Sequence, residues 1–160
     1  MKKIIIDLDV VTVHFWDKDA RAGEAGGFIE LVKGKLFEVI VPYALTELAE
    51  NWQYVELKNM IISFYKENAT VISAEEVNEK LESFGINDKE FAISLVAHGV
   101  KEEDAALVMV ASLFEAEYLV TFNRKHLRNK ESEICEALNT FNLPKIKIRT
   151  PAELLKEAPR

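Results

Sequence analysis

The stretch IIIDLDVVTV, residues 4–13, runs three isoleucines into Asp7 and Asp9 and then into a β-branched run. An ionised carboxylate beside an apolar strand costs several kcal/mol unless a backbone cap, a basic partner, a metal or a reaction that needs the charge offsets it. Other polar residues also stand next to apolar runs. Glu47 lies in YALTELAE just after FEVIVP, Asp104 directly precedes AALVMVASLF, and Thr121 and Asn123 close YLVTFN. Carboxylates gathered in one place repel each other, and the usual remedy is a divalent cation. Oxygen ligands without Cys or His select a hard ion, Mg²⁺ or Mn²⁺. Such a centre activates water and stabilises the charge of a phosphoryl transition state. Each residue has a plainer reading too. Glu102, Glu103 and Asp104 would favour a helix N-terminus by about 0.3–1 kcal/mol each. Glu47 would suit a solvated helix face and Asn123 a turn. Asp7, interrupting an apolar strand, is the hardest to explain structurally.

The elements that must position these residues follow from hydrophobic periodicity. KIIIDLDV, 3–10, reads as a buried strand because its apolar run is continuous and β-branched. A helix near 20–34 follows, then strand FEVIV, 37–41. Pro42 sits where first-turn prolines are tolerated, so PYALTELAENW reads as a helix. Its stripe Leu45, Leu48, Trp52, Val55 has the spacing of a core face. A longer helix spans about 53–68, and TVIS, 70–73, is a short strand. Two helices fill 74–97, separated near Gly85–Asn87, and Gly99 is a helix C-cap. The helix from about 102 to 116 is apolar almost all round and should be central. YLVTF, 118–122, is a strand, 131–142 a helix, KIKIRT, 145–150, a last strand, and a short helix follows Pro151. Alternating helices and uninterrupted apolar strands imply one α/β domain, with a central parallel sheet of four to five strands covered on both faces. In such sheets ligands bind beyond the carboxyl ends of the strands, where all the residues above would converge.

Composition bounds the function. Hydrophobic residues make up 49% of the 160-residue chain, enough for a core and too many for general disorder. No apolar run reaches the roughly 18 residues that span a bilayer. Acid arrives after three isoleucines, which argues against a signal peptide. Cys135 alone excludes an internal disulfide or a cysteine-rich zinc site, so we expect a soluble cytoplasmic protein. Net charge is −7, yet nine Lys or Arg stand against five Glu after Asn123, and all six aspartates lie at or before Asp104. An acidic body with a basic C-terminal quarter could bring a polyanion to an acidic, metal-loaded centre.

Taken in order, these motifs resemble a PIN domain, the Mg²⁺/Mn²⁺-dependent ribonuclease fold of many VapC-type toxins. The hydrophobic strand ending in Asp-Thr-Asn or a variant is IIIDLDV here: Asp7 matches the first acid, Asp9 stands where Asn is common, and Leu8 replaces Thr or Ser. VPYALTELAE supplies the helical Glu47, KEEDAALVMVA supplies Asp104, and YLVTFNRKHL supplies Thr121 and Asn123. The resemblance covers nearly the whole chain, with 1–150 as the nuclease domain and 151–160 as a short helical tail of it. Asn123 departs from the Asp of many relatives, which leaves three acids and implies one tightly held ion with a second recruited by substrate phosphate. The implied site is Asp7, Glu47, Asp104 and Asn123 as metal-binding and catalytic residues, supported by Asp9 and Thr121. Arg124, Lys125, His126 and Arg128 would grip RNA phosphates. The resemblance further implies products with 5′-phosphate and 3′-hydroxyl ends, a homodimer, and an antitoxin docking on the helices around 20–34 and 43–68.

Two other readings share the opening stretch. Asp7 and Asp9 also resemble the nucleophile and acid/base of haloacid-dehalogenase-like phosphatases. That family needs a late acidic pair after another strand, and no aspartate follows Asp104; Glu131 and Glu133 sit in helical or polar contexts, and Val10 stands where Gly is usual. A non-catalytic binding module that keeps the fold would explain Asn123 but not three retained costly carboxylates. His14 and His98 fit no ligand pattern, Cys135 on the late helix reads as structural, and Trp16 and Trp52 read as core or partner-facing aromatics.

Overall fold

The structure, a computed structural model, describes residues 1–16 and 18–157. Among them, β1 (Lys2–Ile6), β2 (Phe37–Pro42), β3 (Ala69–Ile72), β4 (Tyr118–Val120) and β5 (Lys147–Arg149) form one all-parallel sheet in the order β3-β2-β1-β4-β5. β1 is central, with Ile4 opposite Val39 on one side and Ile6 opposite Val120 on the other. Ile4, Ile5 and Ile6 are all fully buried, which is why the run shows no polar alternation.

Helices α1 (Leu8–Phe15) and α2 (Ala22–Lys33) join β1 to β2, and α3 (Tyr43–Glu50) and α4 (Val55–Asn68) join β2 to β3. Helices α5 (Ala74–Phe84), α6 (Asp88–Ala97) and α7 (Glu102–Leu113) carry the chain back across to β4. Helix α8 (Glu131–Thr140) leads to β5, and α9 (Pro151–Glu157) follows it. The first two crossovers move away from β1 in one direction and the last two in the other. Right-handed connections therefore put α1–α4 on one face and α5–α8 on the other. Packing agrees: α1 lies against α2 and α4, and α6 against α7 and α8. Helix α9 closes over α2, where the Ala152 N–H donates to Glu24 Oε1 at 2.8 Å. Residues 158–160 of the expected tail lie outside the described residues. No described helix is long and apolar enough to cross a membrane.

Two expectations need correction. The first strand ends at Ile6 rather than continuing to 10, because Asp7, at φ −66° and ψ 148°, caps α1 by accepting the Leu8 N–H. The run VVTV is helical despite its β propensity, since Val10, Val11 and Val13 are buried where α1 packs on α2 and α4. The stripe Leu45, Leu48, Trp52, Val55 is not a core face. α3 stops at Glu50 and breaks the period, leaving Leu48 54% and Val55 58% exposed, with only Leu45 buried. Gly99 does end a helix. Its N–H bonds to Val96 O and the Val100 N–H to Leu95 O, and its φ of 92° turns the chain into the start of α7.

Candidate active site

The order β3-β2-β1-β4-β5 reverses direction at β1, so the crevice beyond the ends of β1 and β4 is the topological switch point. The ladder continues one step past β1, with the Asp7 N–H donating to Val120 O at 2.9 Å. That bond sets Asp7 beside Thr121. The Thr121 hydroxyl, fully buried, donates to Asp7 Oδ2 at 2.8 Å, while Asp7 Oδ1 accepts from Leu8 N–H at 2.8 Å. Asp7 is therefore strand end, helix cap and site carboxylate at once.

Asp9 occupies the first turn of α1, where the helix dipole favours a negative charge. It accepts from the Phe122 N–H at 3.1 Å, and its Oδ2 lies 3.4 Å from the Thr121 hydroxyl. Asp104, half-buried in the first turn of α7, is met by the Asn123 side-chain amide at 3.4 Å. The other end of that side chain is occupied, since Asn123 Oδ1 accepts from the His126 N–H at 3.0 Å. Asn123 thus faces Asp104 as a neutral donor rather than as another charge. Three consecutive residues after β4 touch three acids that lie far away in the chain.

Electrostatics make the cluster costly. Burial, with the charges of Asp9 and Asp104, pushes the Asp7 carboxyl up to about 7, against the pull of Thr121 and Leu8. Burial pushes Asp9 up to about 6, opposed by the Phe122 N–H, Thr121 and the Arg21 cation. Burial and Glu103 raise Asp104, with His126 and Lys101 pulling back. Tyr65 lies under the site, fully buried in α4, and donates to Ile6 O at 3.2 Å. Its phenol is held well above the ordinary value by burial and by Asp7 and Asp9, so it stays a neutral donor. Neither Tyr65 nor Arg21 stood out in the sequence; a tyrosine on a helix's apolar face gives no hint of what lies above it.

Glu47 is exposed on α3, and the donors that hold Asp7, Asp9 and Asp104 do not touch it among the described residues. Among the described residues, no group of three or more His, Cys, Asp or Glu is arranged to hold a metal ion. The donor chemistry still suits a hard ion. Asp7 and Asp104 offer carboxylate oxygens whose pKa values burial and neighbouring acids raise, and Mg²⁺ is commonly held by one or two carboxylates, waters and substrate phosphate rather than by a protein cage.

The basic segment after β4 divides in two. Arg124 and Lys125 are exposed and His126 is half-buried beside Asp104, while Leu127 plugs the turn into the core. Arg128 is engaged elsewhere: it bonds Glu153 at 2.9 Å and Glu131 at 3.2 Å. Arg149 also pairs with Glu131, at 3.0 Å, so the end of this turn is fixed to α8, β5 and α9.

The fold is similar to the crystal structure of VapBC2 from Rickettsia felis bound to a DNA fragment from their promoter. The TM-score is 0.54 over 92% of this chain and 98% of that one, at 11% sequence identity. No family model matches the sequence. No curated protein matches it either. At this identity the likeness shows the fold, the PIN-like α/β architecture expected from the ordered motifs.

Proposed function

We propose that this chain is a metal-dependent endoribonuclease that hydrolyses RNA phosphodiester bonds in the cytoplasm, working as a homodimer and as the toxin of a toxin–antitoxin pair. The observation that carries the reading is the gathering of Asp7, Asp9 and Asp104 by Thr121, Phe122 and Asn123 at the switch point of the sheet. The fold likeness to VapBC2 supports the antitoxin as partner.

Asp7 and Asp104 would hold a Mg²⁺ or Mn²⁺ ion, with Glu47 reaching it from α3 directly or through water. When bound, the ion lowers the pKa of a water and offsets charge on the phosphate under attack. The chain's own residues do the positioning. Thr121 keeps the Asp7 carboxylate from rotating, and the Phe122 N–H anchors Asp9 behind it. The Asn123 amide steadies Asp104 and is free to share its hydrogens with a phosphate oxygen. Arg124, Lys125 and His126 would hold neighbouring phosphates on a turn that Arg128 fixes through Glu153. The phosphatase reading gains nothing from the site: Asn123 follows β4, and Glu153, beyond β5, is paired with Arg128.

The test is cleavage of end-labelled, mixed-sequence single-stranded RNA with Mn²⁺, with Mg²⁺ and with EDTA. Wild type is run beside Asp7→Asn and Asp104→Asn. Metal-dependent cleavage lost in both variants is expected. Folded protein that cleaves under no condition would overturn the reading, and phosphate release from a small phosphomonoester would then favour the phosphatase.

A further inference from the structure

The ladder between β1 and β2 stops one rung short of the site. Toward β4, the Asp7 N–H donates to Val120 O and Lys3 O accepts from the Glu117 N–H. The backbone groups of the alternate residues Ile4 and Ile6 therefore face β2. In a parallel pair a carbonyl accepts from the N–H one place beyond the residue opposite it. Ile5 lies opposite Ile40, so the Ile6 carbonyl would take the N–H of residue 42. Residue 42 is a proline, which has none, and the pairing ends at Ile5 and Ile40. The carbonyl left over belongs to the residue directly before Asp7.

Tyr65 supplies the missing donor. It is fully buried, and its hydroxyl donates to Ile6 O at 3.2 Å. Its own backbone is held where α4 runs into β3, since the Ala69 N–H donates to Tyr65 O. The Ile6 C=O and the Asp7 N–H share one planar peptide and point in opposite directions. Tyr65 thus holds that peptide from one side and Val120 O from the other. The peptide fixes where Asp7 leaves the sheet, and from there its carboxylate meets the Thr121 hydroxyl and the Leu8 N–H. Without the phenol a buried carbonyl is unpaired, and in turning to find a donor it would carry the Asp7 N–H away from Val120.

Resting on the nuclease reading above, we propose that Tyr65 is a positioning residue for Asp7: its hydroxyl takes the place of the N–H that Pro42 lacks and fixes the peptide from which the Asp7 carboxylate is aimed. A chain built for stability alone would close the rung with any other residue at position 42. Pro42 instead stands, with extended backbone, at the N-cap of α3. One residue therefore starts the helix that carries Glu47 and hands the Ile6 carbonyl to α4.

The test compares wild type, Tyr65→Phe and the double variant Tyr65→Phe/Pro42→Ala by NMR amide exchange and by calorimetric Mn²⁺ titration. Phenylalanine removes the hydroxyl and keeps the ring. In Tyr65→Phe the Asp7 and Leu8 amides should exchange about tenfold faster than in wild type, as for a local opening, while Ile4 keeps its protection. Mn²⁺ affinity should fall about 10–100-fold, the range for loss of a group that orients a metal ligand. Alanine at position 42 restores an N–H for Ile6 O, so the double variant should recover most of both losses. Phe91→Leu, a buried change in α6 on the opposite face of the sheet, controls for stability: it should lower the melting temperature and leave Asp7 protection and Mn²⁺ affinity unchanged. Wild-type protection and Mn²⁺ affinity in folded Tyr65→Phe would overturn the proposal. So would a double variant as impaired as the single one, or losses that Phe91→Leu reproduces. A Tyr65→Phe chain that does not fold passes the decision to the double variant: folding with near-wild-type Mn²⁺ affinity supports the proposal, and failure to fold overturns it. Absence of Mn²⁺ binding and of cleavage in wild type overturns the nuclease reading, and amide exchange then decides the role of Tyr65 alone.

Discussion

Replacing Asp7 by asparagine should stabilise the metal-free protein above neutral pH. The fold raises the Asp7 pKa from 3.8 to about 7, chiefly by burial, so the charged form is the one it disfavours. Below pH 4 the carboxyl is protonated in both folded and unfolded chains, and no penalty exists. Between pH 4 and 7 the unfolded chain ionises while the folded one holds its proton, and stability falls as pH rises. Above pH 7 the penalty is constant. The step from 3.8 to about 7 corresponds to about 4 kcal/mol. Asp7 and Asp9 titrate as a pair, so this is an upper figure. Asparagine keeps the cap on Leu8 and can present its amide to the Thr121 hydroxyl, at the expense of one charge-assisted bond of about 1.5–3 kcal/mol. A net gain of about 2 kcal/mol remains at pH 8, or about 4–8 °C in melting temperature for a chain of this size. The assay is thermal unfolding in EDTA at pH 8 and pH 5, wild type against Asp7→Asn. The variant should melt higher at pH 8 and within about 1 kcal/mol of wild type at pH 5. Adding Mn²⁺ at pH 8 should raise wild type and leave the variant nearly unmoved. A variant that melts lower than wild type at pH 8, or by the same margin at both pH values, would refute the reasoning.

Asn123→Asp exchanges a donor to Asp104 for a like charge; at pH 8 in EDTA it should cost on the order of 1–2 kcal/mol, and calorimetric titration should show tighter Mn²⁺ binding than wild type, which itself should hold one ion tightly. Glu47→Gln should lower the cleavage rate less than Asp104→Asn in single-turnover assays, because Glu47 is exposed and outside the bonded cluster. Arg124→Ala and Lys125→Ala should each reduce the salt dependence of RNA binding by about 0.7 in the log–log slope, while Arg128→Ala, already neutralised by Glu131 and Glu153, should leave the slope unchanged. The Arg128 hydrogen bond holds Glu153 down at about 2 from 4.5, so this pair stabilises the fold above pH 4.5 and is lost as pH falls toward 2. Discounted for partial exposure it is worth about 1–2 kcal/mol, and Arg128→Ala should therefore destabilise the protein in urea unfolding at pH 7 but much less at pH 2.5.

The centre of the sheet was readable because β1 and β4 are buried on both faces, so the apolar runs III and YLV appear without alternation. Asp104 and Asn123 were readable for a related reason, as polar residues abutting runs whose burial leaves few explanations for them. What could not be read is whatever depends on where a backbone turns. Asp7 and Asp9 look alike on a strand, yet the helix begins between them and gives one a cap and the other a first-turn position. The apparent core stripe through Trp52 failed because α3 ends two residues before it. Arg128 carries the same charge as Arg124, and only the fold reveals that Glu153 and Glu131 hold it.

A single loop therefore carries most of the site's organisation. Thr121, Phe122 and Asn123 each offer a different donor, a hydroxyl, a backbone N–H and a side-chain amide, to a different carboxylate. None of these donors neutralises charge; they orient it. Burial outweighs these hydrogen bonds, which is why Asp7 and Asp9 remain at about 7 and 6. A chain built only for stability would place apolar side chains or an ion pair there, as replacement of buried charges by apolar groups is often stabilising. On the nuclease reading proposed above, the cluster makes physical sense as a centre that a cation and a phosphate would complete together.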